Sequence, residues 1–171
     1  MNIVAATKII NEMLAAKVFE NYALGGALAV TFYTEPIATQ DVDIFFQIKE
    51  AESNLLILSP IYDYLTRKGY TAKAEHIIVE DLPIQFLPVF NELTREAVEN
   101  ANGFELEDTT IRVMSPEHLV AIMLETGRTK DYLRISMFLH DDLIDLDKLK
   151  KILQRHDLSA KWTASKHRLG L

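Results

Sequence analysis

Residues Leu24 to Phe46 read LGGALAVTFYTEPIATQDVDIFF and carry the strongest structural signal in this chain. Two adjacent glycines, Gly25 and Gly26, interrupt an apolar run that resumes at once with small apolar residues. Glycine pairs mark tight turns, so this pattern predicts a short strand, a turn and a buried helix. We place the strand at Tyr22–Leu24 and the helix at Ala27–Tyr33.

The second part of this segment alternates between apolar and polar residues from Asp41 to Ile48. Alternation with a period of two is typical of a β-strand that buries one face. One predicted face carries Val42, Ile44, Phe46 and Ile48, and the other carries Asp41, Asp43, Phe45 and Gln47. The first face is wholly apolar and is predicted to lie in the core.

Asp41 and Asp43 stand two residues apart on the same predicted strand face. Paired carboxylates at this spacing can bind one hard cation, and the backbone N–H groups of the Gly25-Gly26 turn favour phosphate. Each feature alone has a simpler interpretation, as a solvated strand face or an ordinary tight turn. Phe45 shares the face of the two acids, however, and like charges placed together cost energy without a cation. Together these residues predict a magnesium and phosphate site suited to nucleotide chemistry.

Further helices and strands follow from hydrophobic periodicity and from turn residues. Before residue 115 we predict helices at Ile3–Glu20, at Ser53–Lys68 with an interruption at Pro60, and at Asn91–Ala101, capped by Asn91 and stopped by Gly103. We also predict two strand pairs, Ala74–Val79 with Leu82–Val89 around a Glu80-Asp81 turn, and Phe104–Leu106 with Thr109–Val113 around Glu107-Asp108.

The chain after Ser115 is predicted to be helical. Ser115-Pro116-Glu117 is a strong helix start, with a capping Ser, Pro at the first helical position and an acid in the first turn. The predicted helices are Glu117–Glu125, Lys130–Leu139, Leu146–His156 and Ala160–His167, separated by Gly127, Asp141-Asp142 and Asp157. The expected fold is therefore α+β. A mixed β-sheet flanked by helices (residues 1–114) and a C-terminal helical lobe (residues 115–171) should share one core as a single domain.

The composition is that of one ordinary soluble domain of 171 residues with a formal net charge of −7. Cysteine is absent, which excludes thiol catalysis, iron–sulfur clusters and disulfides and fits a reducing compartment. No apolar stretch is long enough to span a membrane, and Lys8, Asn11 and Glu12 stand where a signal peptide needs apolar residues. We therefore expect a cytoplasmic protein with no membrane partner.

Positive charge is concentrated at the C-terminal end. From Lys148 to Leu171, seven Lys and Arg residues stand against a single Asp. Such a run permits a local phosphate or RNA contact, although a solvated helix face is the commoner explanation. Trp162 lies in this run and is either a stacking site for RNA bases or a core anchor.

Other catalytic motifs are missing from the sequence. The five histidines show no metal-binding spacing and are expected at the surface or at helix ends. The sequence contains neither a GxSxG nucleophile motif nor a GxxxxGKS or GxxxxGKT phosphate loop. The paired acids are therefore the leading candidate site.

The segment from Leu24 to Phe46 resembles the nucleotidyltransferase superfamily with the polymerase-β-type fold. The signature of that superfamily is Gly-Gly or Gly-Ser, a helix, and Thr/Ser-x-Asp-x-Asp entering a strand. Within it, the chain is similar to the AbiEii-toxin-like, minimal nucleotidyltransferase branch. Two later segments carry this second likeness, SPEHL at Ser115–Leu119 and GRTKD at Gly127–Asp131.

The resemblance implies magnesium-dependent transfer of a nucleoside monophosphate from a nucleoside triphosphate (NTP) to a hydroxyl acceptor. Asp41 and Asp43 would be the catalytic acids that bind Mg²⁺. The residues implied to hold the nucleotide are Gly25, Gly26, Thr39, Lys130 and Asp131, although the last two also fit a plain charged helix surface. The AbiEii branch further implies a toxin role, a cognate protein partner and an RNA acceptor bound by the basic C-terminal helices.

Four positions depart from the pattern of the superfamily. Ile37, Met123 and Arg134 stand where many relatives have Arg, Lys and Asp. Gln85, in the segment PIQFLPV, stands where a third carboxylate is expected. Because an amide cannot take a proton, Gln85 argues against a two-ion site and against catalysis. The alternatives are a catalytically degenerate domain that binds nucleotide or a protein partner, and an interaction domain without a ligand.

Overall fold

The chain folds around a seven-stranded mixed β-sheet in a computed structural model that describes residues 2–39, 41–48 and 57–169. The helices are α1 (Ile3–Ala15), α2 (Gly26–Val30), α3 (Ser59–Arg67), α4 (Glu92–Glu99), α5 (Pro116–Thr126), α6 (Thr129–His140), α7 (Leu146–Arg155) and α8 (Ser159–Leu169). The strands are β1 (Asn21–Leu24), β2 (Val42–Gln47), β3 (Thr71–Lys73), β4 (His76–Val79), β5 (Leu82–Pro88), β6 (Asn102–Leu106) and β7 (Thr109–Val113). The predicted α+β class is confirmed.

The strands β2 and β1 lie inside the sheet, whose order is β3-β4-β5-β2-β1-β7-β6. β2 runs antiparallel to β1 and parallel to β5, and β1 runs parallel to β7. The other neighbours pair antiparallel. Because β1 and β2 are antiparallel, the glycine turn that follows β1 lies beside the start of β2, where both acids stand.

The apolar face of β2 lies in the core, as its alternation predicts. Val42, Ile44 and Phe46 are each 0% exposed. The ring centroid of Phe46 lies 6.1 Å from that of Phe19 and 6.4 Å from that of Phe86. Buried side chains of α5, α6 and α7 belong to the same hydrophobic cluster as the sheet. Within the described residues, no helix combines the length and the apolar character needed to cross a membrane.

The first two helices end earlier than their periodicity predicts. α1 ends at Ala15 instead of Glu20, because Lys17 adopts a left-handed φ of +57° and the amide of Val18 turns back to Met13 O at 3.0 Å. α2 ends at Val30, and turns continue the chain to Tyr33. Periodic apolar residues thus continue past both helices without helical backbone.

Pro60 and Gly103 have other roles than the predicted ones. Pro60 lies at the start of α3, where the missing proline N–H needs no partner, so it begins this helix instead of interrupting it. Residues 53–56, the predicted beginning of the helix, lie outside the described part of the chain. Gly103 lies within β6 and does not stop a helix. The edge strand β3 was not predicted, because its three exposed residues carry no alternation.

The caps predicted at Asn91 and Ser115 and the turns predicted at Gly127 and Glu80-Asp81 are confirmed. Asn91 Oδ1 accepts from the amide of Thr94 at 2.8 Å at the start of α4, and Ser115 caps α5. Gly127 ends α5 with a left-handed φ of +71°. The turn between β4 and β5 has positive φ at both Glu80 and Asp81, which suits a two-residue hairpin.

Candidate active site

The first glycine of the turn packs directly against β2. The amide of Gly25 donates a hydrogen bond to Asp43 O at 2.9 Å. A Cβ atom on Gly25 would lie 2.6 Å from Phe45 Cε2, well inside van der Waals contact. Because Phe45 is itself buried in the core, a side chain at Gly25 would displace it.

The second glycine lies against the carboxylate of Asp43. Gly26 has a φ of +61°, a conformation that glycine adopts without strain. A Cβ atom built on Gly26 would lie 1.8 Å from Asp43 Oδ2, so the carboxylate occupies the space of the missing side chain. Glycine is therefore required here both by the backbone conformation and by the approach of Asp43.

The two predicted acids share one electrostatic environment. Burial raises the pKa of the Asp43 carboxyl, and the negative charge of Asp41 raises it further. The side chain of Asp41 is more open to water, with 47% exposed. Thr39 Oγ1 lies 3.2 Å from Asp41 O and 3.3 Å from Asp41 Oδ1, so its hydroxyl orients this carboxylate. Thr39 thus lies next to the acids, bonded to one of them.

Three basic side chains act on Asp43. Arg128, His76 and Lys130 each lower the pKa of Asp43 through their charge and so oppose the effect of burial. Lys130 is an exposed residue in the first turn of α6, and Arg128 caps the same helix. The structure therefore brings Lys130 into the electrostatic range of the strand acids. Arg128 belongs to the GRTKD segment, but the resemblance implied no role for it. His76 was expected at the surface or at a helix end and instead lies in β4 with a buried Nε2.

Asp131 is fully buried at the start of α6 and holds two arginines. Arg128 Nε donates to Asp131 Oδ2 at 2.8 Å, and Arg128 Nη2 donates to Asp131 Oδ1 at 3.1 Å. Arg134 Nη1 lies 3.5 Å from Asp131 Oδ1. The hydrogen bonds to Asp131 raise the pKa of Arg128. Asp131 therefore sets the positions of both guanidinium groups.

A cavity of about 350 Å³ adjoins these groups, and both the sheet and the helices α5 and α6 line it. Its polar lining residues include Gly26, Asp43, Gln85, Arg128, Asp131 and Arg134. Its apolar wall includes Phe45, Leu87, Phe90, Met114, Ile122 and Met123. A largely apolar lining with a few charged groups is typical of a pocket for a small ligand.

Gln85 lies beside Asp43 on the neighbouring parallel strand. The register of β2 and β5 pairs Asp43 with Gln85. Side chains paired in this way point to the same face of a sheet, so the amide stands in the cavity next to the carboxylate. Met123 and Arg134, two other departures from the superfamily pattern, line the same cavity.

His76 joins the site from β4, although no sequence motif indicated it. His76 Nε2 lies 4.0 Å from Asp41 Oδ2. This nitrogen is buried and has no hydrogen-bond partner in the described part of the chain. The predicted hairpin indicates this position indirectly, because a two-residue turn at Glu80-Asp81 places His76 opposite Gln85 on the neighbouring strand.

The two acids fit a hard divalent cation. A cation would relieve the repulsion between Asp41 and Asp43 and would compensate the buried charge. Across residues 2–39, 41–48 and 57–169, no three His, Asp or Glu side chains form a preassembled metal-binding group. Water and phosphate oxygens would have to complete the coordination, as is usual for Mg²⁺.

A partly buried polar network holds α5, which forms one wall of the cavity. Glu96 of α4 accepts hydrogen bonds from Arg155 and His156 at the end of α7. Glu96 Oε1 also lies 3.3 Å from His118 Nε2 of α5. His118 Nδ1 lies 2.9 Å from the hydroxyl of Ser115, which caps α5. The network therefore connects three helices through one carboxylate.

Burial and hydrogen bonds together set the charge states in this network. His118 lies at a helix end, as expected, but it is only 2% exposed, and burial lowers its pKa. Burial alone would raise the pKa of Glu96, but its hydrogen bonds to an arginine and two histidines lower it to about 2. Glu96 is therefore ionised at neutral pH.

Most of the positive charges at the C-terminal end contact neighbouring side chains or backbone. The contacts are Lys148 with Glu117, Lys150 with Asp147, Arg155 with Glu96, Lys161 with the carbonyl of Glu125, and Arg168 over the ring of Tyr132. The other two basic residues of this run, Lys151 and Lys166, are exposed. Trp162 is half-buried and packs against the core, which favours the anchor interpretation.

The architecture is similar to that of solved nucleotidyltransferase-like structures. An antigenic nucleotidyltransferase-like protein from Paracoccidioides brasiliensis matches with a TM-score of 0.57 and 14% identity, over 93% of this chain and 91% of that one. ANT(2″)-Ia in complex with adenylyl-2″-tobramycin matches with a TM-score of 0.55 and 12% identity, over 95% and 99%. A solution structure of the antibiotic-resistance factor ANT(2″)-Ia matches with a TM-score of 0.50 and 14% identity, over 98% of both chains.

These likenesses show a shared fold. No protein-family model matches the sequence, and no curated protein matches it. The chain therefore has a nucleotidyltransferase-like fold.

Proposed function

We propose that this protein transfers a nucleoside monophosphate from an NTP to a hydroxyl acceptor with the help of a divalent cation. The observation that carries the proposal is the contact of the Gly25-Gly26 turn with Asp43, beside a cavity lined by Arg128. The nucleotidyltransferase-like fold supports it.

Each residue of the site has a part in this proposal. Asp41 and Asp43 hold Mg²⁺, which when bound would neutralise charge on the phosphates and on the departing pyrophosphate. Thr39 orients Asp41 through its hydroxyl. The Gly25 amide already donates to Asp43 O, so the phosphate contact predicted for the turn falls to the Gly26 amide. The predicted phosphate ligand Lys130 acts together with Arg128, whose guanidinium is held by Asp131.

The proposed reaction is an in-line substitution at the α-phosphorus. The acceptor oxygen forms a bond to this phosphorus, and the bond from the phosphorus to the bridging oxygen breaks as pyrophosphate leaves with the electron pair. The hydroxyl proton passes to water, because the amide of Gln85 cannot take it. The apolar wall with Phe45 and Met123 packs against the nucleoside.

A second candidate function is nucleotide binding without transfer. The pairing of Asp43 with Gln85 favours it, because the position of the third carboxylate carries an amide. The two candidates share the ligand and differ only in whether pyrophosphate is released.

Thermal unfolding with Mg²⁺ and each of the four NTPs tests both candidates. A ligand at about a hundred times its dissociation constant stabilises the folded state by roughly 2.7 kcal/mol. We expect an NTP shift that requires Mg²⁺, is lost in Asp43→Asn and is retained in the control Asp63→Asn, which changes an exposed acid on α3. Pyrophosphate release then separates transfer from binding alone. The absence of a shift with every NTP would contradict both candidates.

We extend the proposal to a toxin role and to RNA as the acceptor. They rest on the AbiEii-like segments at Ser115–Leu119 and Gly127–Asp131. An RNA contact would rely on the exposed Lys151 and Lys166. We expect growth arrest when the wild type is expressed and normal growth with Asp43→Asn. Equal growth of the two strains would contradict the toxin role.

A further inference from the structure

Phe90 is the most exposed large apolar side chain in the described part of the chain. It is 71% exposed, ahead of Leu133 at 67% and Leu146 at 47%. Leu133 lines a separate groove on α6, whereas Phe90 lines the cavity beside Asp43. Single exposed apolar residues are common on protein surfaces. One that lines a ligand cavity, however, becomes buried when the cavity fills.

The fold makes little use of the Phe90 ring. Phe90 precedes Asn91, the N-cap of α4, and an apolar residue at this position commonly packs against the fourth residue of the helix. In α4 that residue is Arg95, which is half-exposed and forms an ion pair with Glu92. Within the described residues, Phe90 does not belong to the hydrophobic cluster, although its neighbour Val89 packs against it. The common structural role at this position is therefore missing.

The backbone is anchored on both sides of Phe90. The amide of Val89 donates to Phe46 O at 3.0 Å and binds the end of β5 to β2. On the other side, Asn91 caps α4, and Asn91 Nδ2 donates to Glu125 Oε1 of α5 at 3.2 Å. Glu125 lines the same cavity. A ring on an anchored backbone loses little conformational freedom when a ligand packs against it, which favours binding.

The order of residues along β5 separates Phe90 from the acids. Gln85 pairs with Asp43, and Leu87 pairs with Phe45 further along the two parallel strands. Phe90 follows Gln85 by five residues, which correspond to at most about 16 Å of extended chain. All five of these side chains line the cavity. The cavity lining therefore extends along β5 from the neighbour of the acid to the exposed ring.

We propose that Phe90 is a stacking platform for the base of the bound NTP. The inference rests on the proposed function, in which the phosphates lie at Gly26 and Arg128 and the nucleoside packs on the apolar wall. The base is the part of an NTP most distant from the phosphates, and it is flat and aromatic like the ring of Phe90. Stacking on an aromatic side chain strengthens binding by about 5- to 150-fold, and every base has a π face. Phe90 thus adds affinity for the nucleoside without selecting one base.

Calorimetric titration of the full chain in Mg²⁺ tests the inference by comparing each NTP with inorganic triphosphate, which has no base. Phe90→Ala should weaken the binding of every NTP by about tenfold or more and leave the binding of inorganic triphosphate unchanged. Phe90→Tyr keeps the flat ring and should bind NTPs as the wild type does. The matched control Leu133→Ala removes an exposed apolar side chain outside the cavity and should change neither affinity.

Fluorescence of Phe90→Trp supplies a direct readout of the contact. The native Trp162 lies in α8 and does not line the cavity, so the wild type provides the background signal. We expect NTPs to quench the added tryptophan and inorganic triphosphate to leave it unchanged. Phe90→Ala should unfold in urea at the wild-type concentration without ligand, because the ring is mostly exposed. A weaker NTP affinity of this variant is then a loss of contact with the ligand.

The outcomes separate this inference from the proposed function. Unchanged NTP affinity in Phe90→Ala, or equal losses of affinity for NTPs and inorganic triphosphate, overturns the stacking role of Phe90. In either case the Mg²⁺-dependent NTP shift of the wild type still supports the proposed function. Absence of NTP binding to the wild type overturns both.

Discussion

The contact between Gly26 and Asp43 couples backbone conformation to charge at a single pair of residues. Gly26 supplies a left-handed turn, and Asp43 fills the space above it. Asp43 is held there although burial and Asp41 both disfavour its negative charge. Groups placed at such an electrostatic cost are common at functional sites, because a ligand of opposite charge relieves the cost.

Gly26→Ala is expected to destabilise the protein by about 3 kcal/mol or more, because it adds a collision with Asp43 to the strain of a positive φ. Gly69→Ala is the matched control. Gly69 also has a positive φ, of +91°, but a Cβ there would meet nothing within 4 Å. Gly69→Ala should therefore destabilise the protein by only about 1 kcal/mol, from backbone strain alone. Urea unfolding measures both, and equal costs would contradict the packing of Asp43 on Gly26.

Asp43→Asn is expected to stabilise the protein in EDTA at pH 7. The folded pKa of Asp43 is raised above its ordinary value of 3.8, so the wild type loses stability as the pH rises through that folded pKa. The Asp43→Asn variant has no such loss. Its stability advantage over the wild type should disappear below about pH 3.8, where Asp43 is protonated in both the folded and the unfolded state. Urea unfolding at pH 3.5 and pH 7 checks the sign. A variant less stable than wild type at pH 7 would contradict the raised pKa.

At the scale of secondary-structure elements, the position of α5 depends on contacts with α4 and α7. Glu96 binds the end of α7 and the first turn of α5, and α5 supplies Met123 to the cavity wall. Asn91, the cap of α4, donates to Glu125 at the other end of α5 at 3.2 Å. The helical wall of the cavity is therefore held at both ends by polar contacts.

Glu96→Gln is expected to cost about 2 kcal/mol at pH 7, since a carboxyl pKa lowered to about 2 stabilises the folded state whenever the group is ionised. Because the folded pKa is depressed, this stability is present above about pH 4.5 and is lost as the pH falls toward 2. Chemical unfolding between pH 2 and pH 7 measures it. Glu99→Gln, an exposed position on the same helix, should change stability by less than about 0.5 kcal/mol. A pH-independent cost for Glu96→Gln would rule out the ionised network.

At the scale of the whole molecule, the sheet and the C-terminal helices bury a common set of side chains. The hydrophobic cluster runs from Ala6 in α1 to Leu169 in α8. Domains that share one core usually unfold in a single cooperative step. The prediction of a single domain, with residues 1–114 and 115–171 as its two parts, therefore implies the claim that both parts unfold together.

Trp162 allows that claim to be measured, because it is the only tryptophan and lies in the C-terminal part. Its fluorescence reports on the helices, and far-ultraviolet circular dichroism reports on the whole chain. We expect the two unfolding curves to coincide in urea. A Trp162 transition that precedes the circular dichroism transition would show that residues 115–171 unfold separately.

The local parts of this fold could be predicted from the sequence because each depends on residues close together in the chain. Alternation from Asp41 to Ile48 predicted β2, and the glycine pair predicted the turn that contacts it. The caps at Asn91 and Ser115 were equally clear, since a capping side chain binds an amide three residues on. The role of Pro60 was predicted wrongly, because a proline can interrupt a helix or begin one.

The surroundings of the two acids depended on the tertiary structure. His76 reaches Asp41 only because β4 pairs with β5 and β5 pairs with β2. The charge of Arg128 acts on Asp43 only because α6 packs against α5 and lines the same cavity as the sheet, with Asp131 buried at its start. Short-range propensities act over about one helical turn, whereas these contacts bring together residues 35 to 85 positions apart, whose meeting depends on the strand order and on the helix packing.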